Sequence, residues 1–432
     1  MSGFDTSRLL RISSLLGSLA LAACAEEAPG PQFANDPMPT ARVAETGSAG
    51  TPAPLPTVPA AATPVVATPA SVQDVLAVRG ASRRIYTISG ITLWSIRSDG
   101  IADRLFEAPD ASRIVAIDAA PSGEQVAILL RSSSETPRSD EVLIVDQNGE
   151  VVERIENLFT STAVTPGPPA SYAQAGAIDW SPQGDLALVL SENGAIVAFS
   201  SNGDQAPIEL LGASGDVAVV APSWSPTGES VAFISAADGE RTRTLKLLDV
   251  ENGAVQDIVD PPAGRFVVDF AWMPDGNSLL FTEGGELGGA VSGIDLWRVS
   301  ATGAQRELVV SAGTVAPVAR ITNIQPSPDG RSVAYSVLVP GGNEPLVDSV
   351  WVRDLRSHLG FKISTPPITA VDDIWWTDQG LAIAVTTEAG TQAPEGAQAI
   401  LHVSHDGRVA TLWEAPGGVS PASGTPVATP IS

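Results

Sequence analysis

The sequence predicts an all-β fold built from one unit that is repeated between residues 73 and 414. Three observations support this prediction: a turn containing proline and glycine recurs, a second hairpin follows each turn, and no segment shows sustained helical periodicity. The clearest copy of the turn lies in PSWSPTGESVAFIS, which begins at Pro222. Units repeated at this spacing usually bury their apolar surfaces against one another.

The recurring turn ends each time at a glycine, and successive glycines are 44 to 61 residues apart. Proline presets the backbone of the first turn position, and glycine adopts a conformation that a side chain would resist. A tryptophan precedes several copies, and we expect it to pack between neighbouring units. The turn glycines are Gly123, Gly184, Gly228, Gly276, Gly330 and Gly380, and the tryptophans are Trp180, Trp224, Trp272 and Trp376.

Seven second hairpins can be counted, and most bend at Asn-Gly, Asp-Gly or Thr-Gly, which supplies the positive φ of tight hairpin turns. The strand after each turn glycine, such as SVAFIS or DLALVL, is apolar at consecutive positions, which indicates burial on both faces. Each unit therefore contains four strands in a sheet sandwiched between two others. This arrangement predicts a β-propeller, most simply with seven blades, with six or eight as alternatives.

The repeated pattern W-S-P-D-G-x-x-[VIL]-A-[FY] resembles the WD40-like repeat of the TolB-family propellers, which are bacterial periplasmic and secreted domains. The resemblance covers nearly all of residues 73 to 414 and implies a fold without implying an activity. Two features depart from TolB itself. This chain has a proline-rich segment where TolB has a globular domain, and seven hairpins are counted where the TolB propeller has six blades.

The amino-terminal residues 1 to 23 have the layout of a secretory signal peptide, since Arg8 and Arg11 precede a short apolar stretch. The sequence Leu21-Ala22-Ala23-Cys24 resembles the bacterial lipobox, which implies that the thiol of Cys24 receives lipid after cleavage. Two or more acyl chains anchor a protein stably. We therefore expect an extracytoplasmic protein that is lipid-anchored to the outer face of the cell membrane, or to the outer membrane if the organism has one.

Two segments outside the repeats are rich in proline, alanine and threonine. Residues 24 to 72 cannot form a core and are predicted to be a disordered tether, and residues 415 to 432 a disordered tail. Whether the threonines of these segments are glycosylated stays open.

The net charge of −25 disfavours nucleic acid and favours basic partners or cations. We therefore expect a protein partner in the cell envelope. The oligomeric state stays open.

Sequence motifs for catalysis are sparse. The three histidines are His358, His402 and His405, the single cysteine is assigned to lipid, and no catalytic signature such as HExxH or GxSxG occurs. The sequence therefore predicts that the chain is not an enzyme and has no cofactor. A propeller can still assemble a site from distant loops, and this keeps an enzyme as the alternative.

Carboxylates recur on the innermost strands, either five or seven residues before the turn glycine, at Asp118, Asp179, Asp269 and Asp373. In a strand of period two these positions share one face. If that face looks into the central channel, the four side chains form an acidic funnel that binds Ca²⁺ or the basic tip of a partner. In the alternative, the carboxylates accept hydrogen bonds from the backbone at strand ends.

We predict from these features that the chain is a binding or scaffolding module in the cell envelope. Insertions at residues 158 to 175 and 283 to 293 would enlarge one face for partner contact. The alternative is a propeller hydrolase or lyase that acts on an extracellular glycan or peptide. A third reading is a factor for envelope assembly.

Overall fold

The computed structural model describes residues 78 to 415, except for 82–83, 111, 133–139, 157–177, 191–194, 203–205, 213–216, 238–242, 288–289, 315–318, 340–346, 367, 388–397 and 406. The predicted signal peptide, Cys24, the tether, the tail from residue 416 and the insertion at 158 to 175 lie outside the described residues. Within those residues the chain forms 28 β-strands and one short 3₁₀ turn at Ala312–Thr314. None of the described segments is a helix long and apolar enough to span a membrane.

The strands of the first four blades follow the chain in groups of four. Blade 1 has β1 (Val78–Ala81), β2 (Arg84–Ser89), β3 (Thr92–Arg97) and β4 (Ala102–Glu107). Blade 2 has β5 (Ser112–Ala119), β6 (Gln125–Ser132), β7 (Asp140–Asp146) and β8 (Val151–Ile155). Blade 3 has β9 (Ile178–Trp180), β10 (Leu186–Leu190), β11 (Ile196–Ser200) and β12 (Ile208–Leu211). Blade 4 has β13 (Val217–Trp224), β14 (Ser230–Ala237), β15 (Arg243–Asp249) and β16 (Val255–Val259).

The last three blades continue the same order. Blade 5 has β17 (Arg265–Trp272), β18 (Ser278–Leu287), β19 (Ala290–Ser300) and β20 (Arg306–Val310). Blade 6 has β21 (Arg320–Pro326), β22 (Ser332–Val339), β23 (Val347–Asp354) and β24 (Gly360–Lys362). Blade 7 has β25 (Ile368–Thr377), β26 (Gly380–Thr387), β27 (Gln398–Ser404) and β28 (Val409–Glu414).

Each blade is an antiparallel sheet whose strands lie side by side in chain order. One parallel pair, Ile294 opposite Arg320, also joins β19 to β21 and links blades 5 and 6. Strand β1 contacts β25, so the first blade meets the last and the ring closes. The predicted seven-bladed propeller is therefore confirmed.

Both faces of each sheet are buried, as the consecutive apolar residues predict. In β6, Val126 and Ile128 pack in one cluster with blade 1, whereas Ala127 and Leu129 pack in another cluster with blade 3. All four side chains are completely buried. At about 25 cal/mol per Å² of apolar surface removed from water, this double burial is the main source of stability.

The first turn of each blade and its second hairpin turn lie on the same side of the ring, which we call the turn face, because alternate strands run in the same direction. The turn glycines all have positive φ, from 66° at Gly330 to 144° at Gly380. The tryptophans pack between blades as expected: Trp180 Nε1 donates to the carbonyl of Asp118, and Trp376 Nε1 donates to that of Gln325.

We expect Gly380→Ala to destabilise blade 7 strongly, because its Cβ would lie 2.0 Å from the carbonyl oxygen of Val403. Gly407→Ala is the matched control in the same blade, since Gly407 also has positive φ but no atom lies within 4 Å of the added Cβ. Denaturant unfolding should show a loss of about 1 to 2 kcal/mol for the control and more than about 3 kcal/mol for Gly380→Ala. Equal losses would contradict the contact as the cause.

Candidate functional site in the central channel

The four predicted carboxylates lie on the first strands of their blades, which surround the central channel. Asp118 and Asp179 lie on β5 and β9, and Asp269 and Asp373 lie on β17 and β25. The apolar residue next to each carboxylate is buried on the opposite face, as at Ile117 and Ile374. The alternation that the sequence predicts is therefore present around these positions.

Asp118 and Asp179 each accept a hydrogen bond from the next blade. The backbone N–H of Trp180 donates to Asp118 Oδ2 at 2.9 Å, and that of Trp224 donates to Asp179 Oδ2 at 2.6 Å. Asp118 is only 7% exposed. These two carboxylates therefore join blades 2, 3 and 4, which is the role that the alternative reading gave them.

The polar position seven residues before the turn glycine links the later blades. The backbone N–H of Ile324 in blade 6 donates to Asp269 Oδ2 at 3.5 Å. Asn323 has a positive φ of 50°, and its Nδ2 donates to the carbonyl of Val371 in blade 7 at 3.0 Å. Asp373 Oδ1 accepts from the N–H of Ile374 at 2.9 Å. The chain of contacts thus runs from blade 5 through blade 6 to blade 7.

Asp269 differs electrostatically from an ordinary aspartate. Desolvation by burial, with a smaller contribution from the charge of Asp373, raises the pKa of its carboxyl to about 6, against the opposing effect of the N–H groups of Ile324 and Phe270. The charges of Asp269 in blade 5 and Asp373 in blade 7 therefore interact. Such a carboxyl can exchange a proton near neutral pH.

A β-bulge near the middle of the first strand directs these side chains. The pairing of β17 with β18 shifts between Val267 and Asp269, and that of β25 with β26 shifts between Val371 and Asp373. Bulges re-aim side chains and are common next to functional sites. The sequence did not reveal them, since the extra residue leaves the apolar pattern on either side intact.

The predicted cation site stays a prediction. Side chains on the faces of a blade point mainly at the neighbouring blades, so these carboxylates reach the channel only where the first strands border it. Across the described ranges, no group of three or more histidine, cysteine, aspartate or glutamate side chains is arranged to hold a metal ion.

Of the insertion at 283 to 293, the described residues belong to strands β18 and β19. Its base contains a buried ion network: Arg265 Nε donates to Glu283 Oε1 at 2.5 Å, and Arg306 Nη2 donates to Glu283 Oε2 at 2.6 Å. The Glu283 side chain is 2% exposed. The Arg306 guanidinium lies over the ring of Trp297, 4.1 Å from its centre. The hairpin is thus held rigidly at its base.

Sequence reasoning missed a small pocket of about 30 Å³ at the turn face, where blade 7 meets blade 1. His402 lies in it beside Ser98, Asp378 and Gln379. The signal that could have found the pocket is a histidine at a strand position that is apolar in blades 2 and 4, at Ile144 and Leu247. The other two histidines are exposed, and His358 has a positive φ of 57°.

Comparison with known proteins shows peptidases among the relatives. No protein-family model matches the chain. Over 61 residues, 14% of this chain and 9% of the relative, the sequence is 39% identical to the uncharacterized peptidase YuxL of Bacillus subtilis. The similarity is therefore local.

Solved structures share the fold. A prolyl endopeptidase superposes with a TM-score of 0.55 at 12% identity, over 78% of this chain and 49% of its own. A puromycin-hydrolyzing peptidase of Mycobacterium tuberculosis superposes with a TM-score of 0.55 at 16% identity, over 80% of this chain and 55% of its own. This chain thus spans about half the length of these peptidases. TolB of Acinetobacter baumannii gives a TM-score of 0.43 at 14% identity, which is too low to support an argument.

These comparisons correct one prediction. The sequence predicted that the chain is not an enzyme because catalytic motifs are sparse, yet the propellers that it resembles are found in peptidases. A search for motifs within one chain fails when the residues of a site are distributed over distant loops. That prediction was wrong.

We expect the unfolding free energy to depend on pH through Asp269. Its carboxyl has a pKa of about 6 in the folded protein against an ordinary 3.8, so the folded state binds more protons between these values. Stability from this group therefore falls as pH rises through this window and stays low above it. The loss is at most about 3 kcal/mol, because one pKa unit corresponds to 1.36 kcal/mol.

Asp269→Asn keeps a side-chain oxygen and removes the titration. Denaturant unfolding at pH 4 and pH 7.5 should show that the variant gains stability relative to wild type at the higher pH. The exposed turn residue Asp275 supplies the control Asp275→Asn. A difference between wild type and Asp269→Asn that is the same at both pH values would show that this carboxyl does not titrate in the window.

Proposed function

We propose that this chain is an extracytoplasmic propeller hydrolase that acts on peptides and is held at a membrane by lipid on Cys24. The observation that carries the proposal is the shared fold: about four fifths of this chain superposes on propellers of peptidases. The local sequence similarity to a peptidase supports it independently. Fold alone does not fix activity, so the test must be enzymatic.

The channel gives this proposal a recognition group. Asp269 and Asp373 lie on the first strands of blades 5 and 7 and interact electrostatically. A negatively charged channel in an acidic protein attracts cations and concentrates them at its mouth. The ammonium group at the amino end of a peptide is a cation of suitable chemistry, so we assign these two carboxylates to binding that group.

A glycan substrate and a pure scaffold are the weaker readings. The peptide reading has the support of two peptidases that superpose on this chain with a TM-score of 0.55.

The full-length chain should release fluorophore from short fluorogenic peptides. We expect the double variant Asp269→Asn/Asp373→Asn to raise KM for peptides with a free amino end and to leave peptides with an acetylated end unchanged. The matched control is Asp275→Asn/Asp329→Asn, which makes the same change at two exposed turn residues. Failure of the wild-type chain to cleave any peptide contradicts the hydrolase. Equal effects on free and acetylated peptides contradict only the recognition role.

Lipid anchoring rests on the lipobox resemblance at Cys24, which lies outside the described residues. We expect wild-type protein in the membrane fraction and Cys24→Ser in the soluble fraction, because two or more acyl chains hold a protein at a bilayer. Metabolic labelling with a radioactive fatty acid checks the modification directly, and Cys24→Ser should remain unlabelled. Labelling of the variant would place the lipid elsewhere.

A further inference from the structure

The contact between blade 7 and blade 1, which we call the closing seam, differs from the other contacts between blades. Blade 1 consists of β1 to β4 and blade 7 of β25 to β28, so these two blades are not consecutive in the chain as other neighbouring blades are. The seam is packed by an apolar cluster that includes Ile85, Ile96 and Ile400. The rings of Trp94 and Trp413 meet with centres 5.8 Å apart. Closure of the ring therefore depends on side-chain packing.

His402 interrupts this packing at the turn face. It pairs with Ala382 on β26, and Ala382 belongs to the apolar cluster of the seam. Ser404 closes the second hairpin of blade 7, as Asp146 does in blade 2 and Asp249 in blade 4. The residues two positions earlier in those blades are Ile144 and Leu247, which are 0% and 6% exposed. His402 thus stands where blades 2 and 4 have a buried apolar residue, whereas the equivalent residues are Ser95 in blade 1 and Arg298 in blade 5.

The imidazole of His402 is held in an environment that suits its neutral form. Its Nε2 is buried and has no hydrogen-bond partner among the described residues. Burial lowers the pKa of His402, the nearby His405 lowers it further, and a hydrogen bond with the backbone of Gln379 acts in the opposite direction.

The charged groups around the pocket come from both blades. Arg84 of β2 lines it from blade 1, with its guanidinium bound to Ser95 Oγ at 3.0 Å, and the neighbouring hairpin turn carries Arg97 and Asp99. Asp378 lines it from blade 7, and its backbone carbonyl contacts His405 Nε2 at 3.3 Å. The charge of Arg84 opposes a second positive charge in the pocket.

We propose that His402 makes the closing seam sensitive to pH, so that the ring loosens between blades 7 and 1 in mild acid. Protonation of His402 places an N–H on Nε2, which is buried and has no hydrogen-bond partner among the described residues, whereas opening the seam lets water solvate it. The open state therefore binds the proton more tightly than the closed state. Closure weakens as pH falls below about 6.5, the ordinary pKa of histidine, and is fully restored above it. This pH response concerns the stability of the ring and does not depend on the proposed peptidase activity.

Hydrogen–deuterium exchange of the full-length chain between pH 5 and pH 7.5 tests this proposal. Because intrinsic exchange also changes with pH, the measured quantity is protection of β2 and β27 relative to β14 and β15 in the same sample. We expect this relative protection to fall several-fold in wild type as pH drops from 7 to 5. In the variant His402→Leu, which has the same residue as blade 4 at Leu247, the relative protection should not change with pH.

Two further variants keep the result interpretable. His402→Gln removes the titration while retaining a polar side chain, so it replaces His402→Leu if the latter does not fold. His405→Gln removes the neighbouring histidine and should leave a reduced pH dependence in place. The proposal is overturned if acid lowers the exchange protection of β14 and β15 in wild type as much as that of β2 and β27. It is also overturned if the His402 variants retain the pH dependence of the closing seam.

Discussion

The structure depends on one constraint: every four-stranded sheet is apolar on both faces and must be covered on both. Ile128 and Leu129 are adjacent in sequence, completely buried, and packed against opposite neighbours. A single blade would expose two such faces to water, so the ring must close for any blade to be stable. The turns, the tryptophan contacts and the carboxylate bonds all serve to keep adjacent sheets in register.

The inner carboxylates show how a structural group can acquire a second role. Asp118 and Asp179 accept backbone N–H groups of the following blade, and these bonds satisfy donors that would otherwise face the channel unpaired. Asp269 lies seven residues before its turn glycine, whereas Asp118 and Asp179 lie five residues before theirs. The hydrogen bonds to its carboxylate offset only part of the cost of burial, and the negative charge of Asp373 adds to that cost. The same architecture thus yields carboxylates that join blades in one half of the ring and, at Asp269, a carboxyl with a raised pKa in the other.

The repeat made much of this fold predictable from sequence. The turn glycines, the seven hairpins and the apolar strands follow from local rules, and the structure agrees at Gly228 and Trp180 alike. The bulge before Asp269 was not predictable, because an extra residue changes the direction of a side chain without changing the pattern around it. Some neighbours of His402, such as Arg84 and Ser98, come from blade 1, more than 300 residues away in the chain, and no local rule relates them to it.

Because each blade is one uninterrupted segment of chain, contacts are confined to adjacent blades. Substitutions in blades that do not touch, such as 2 and 5, should then alter stability independently, since their effects share no partner. The loops of one blade can likewise change in length or composition while the remaining six keep their geometry, as the long hairpin of blade 5 illustrates. The surface residues of one blade can therefore change during evolution while the structure of the other blades is kept.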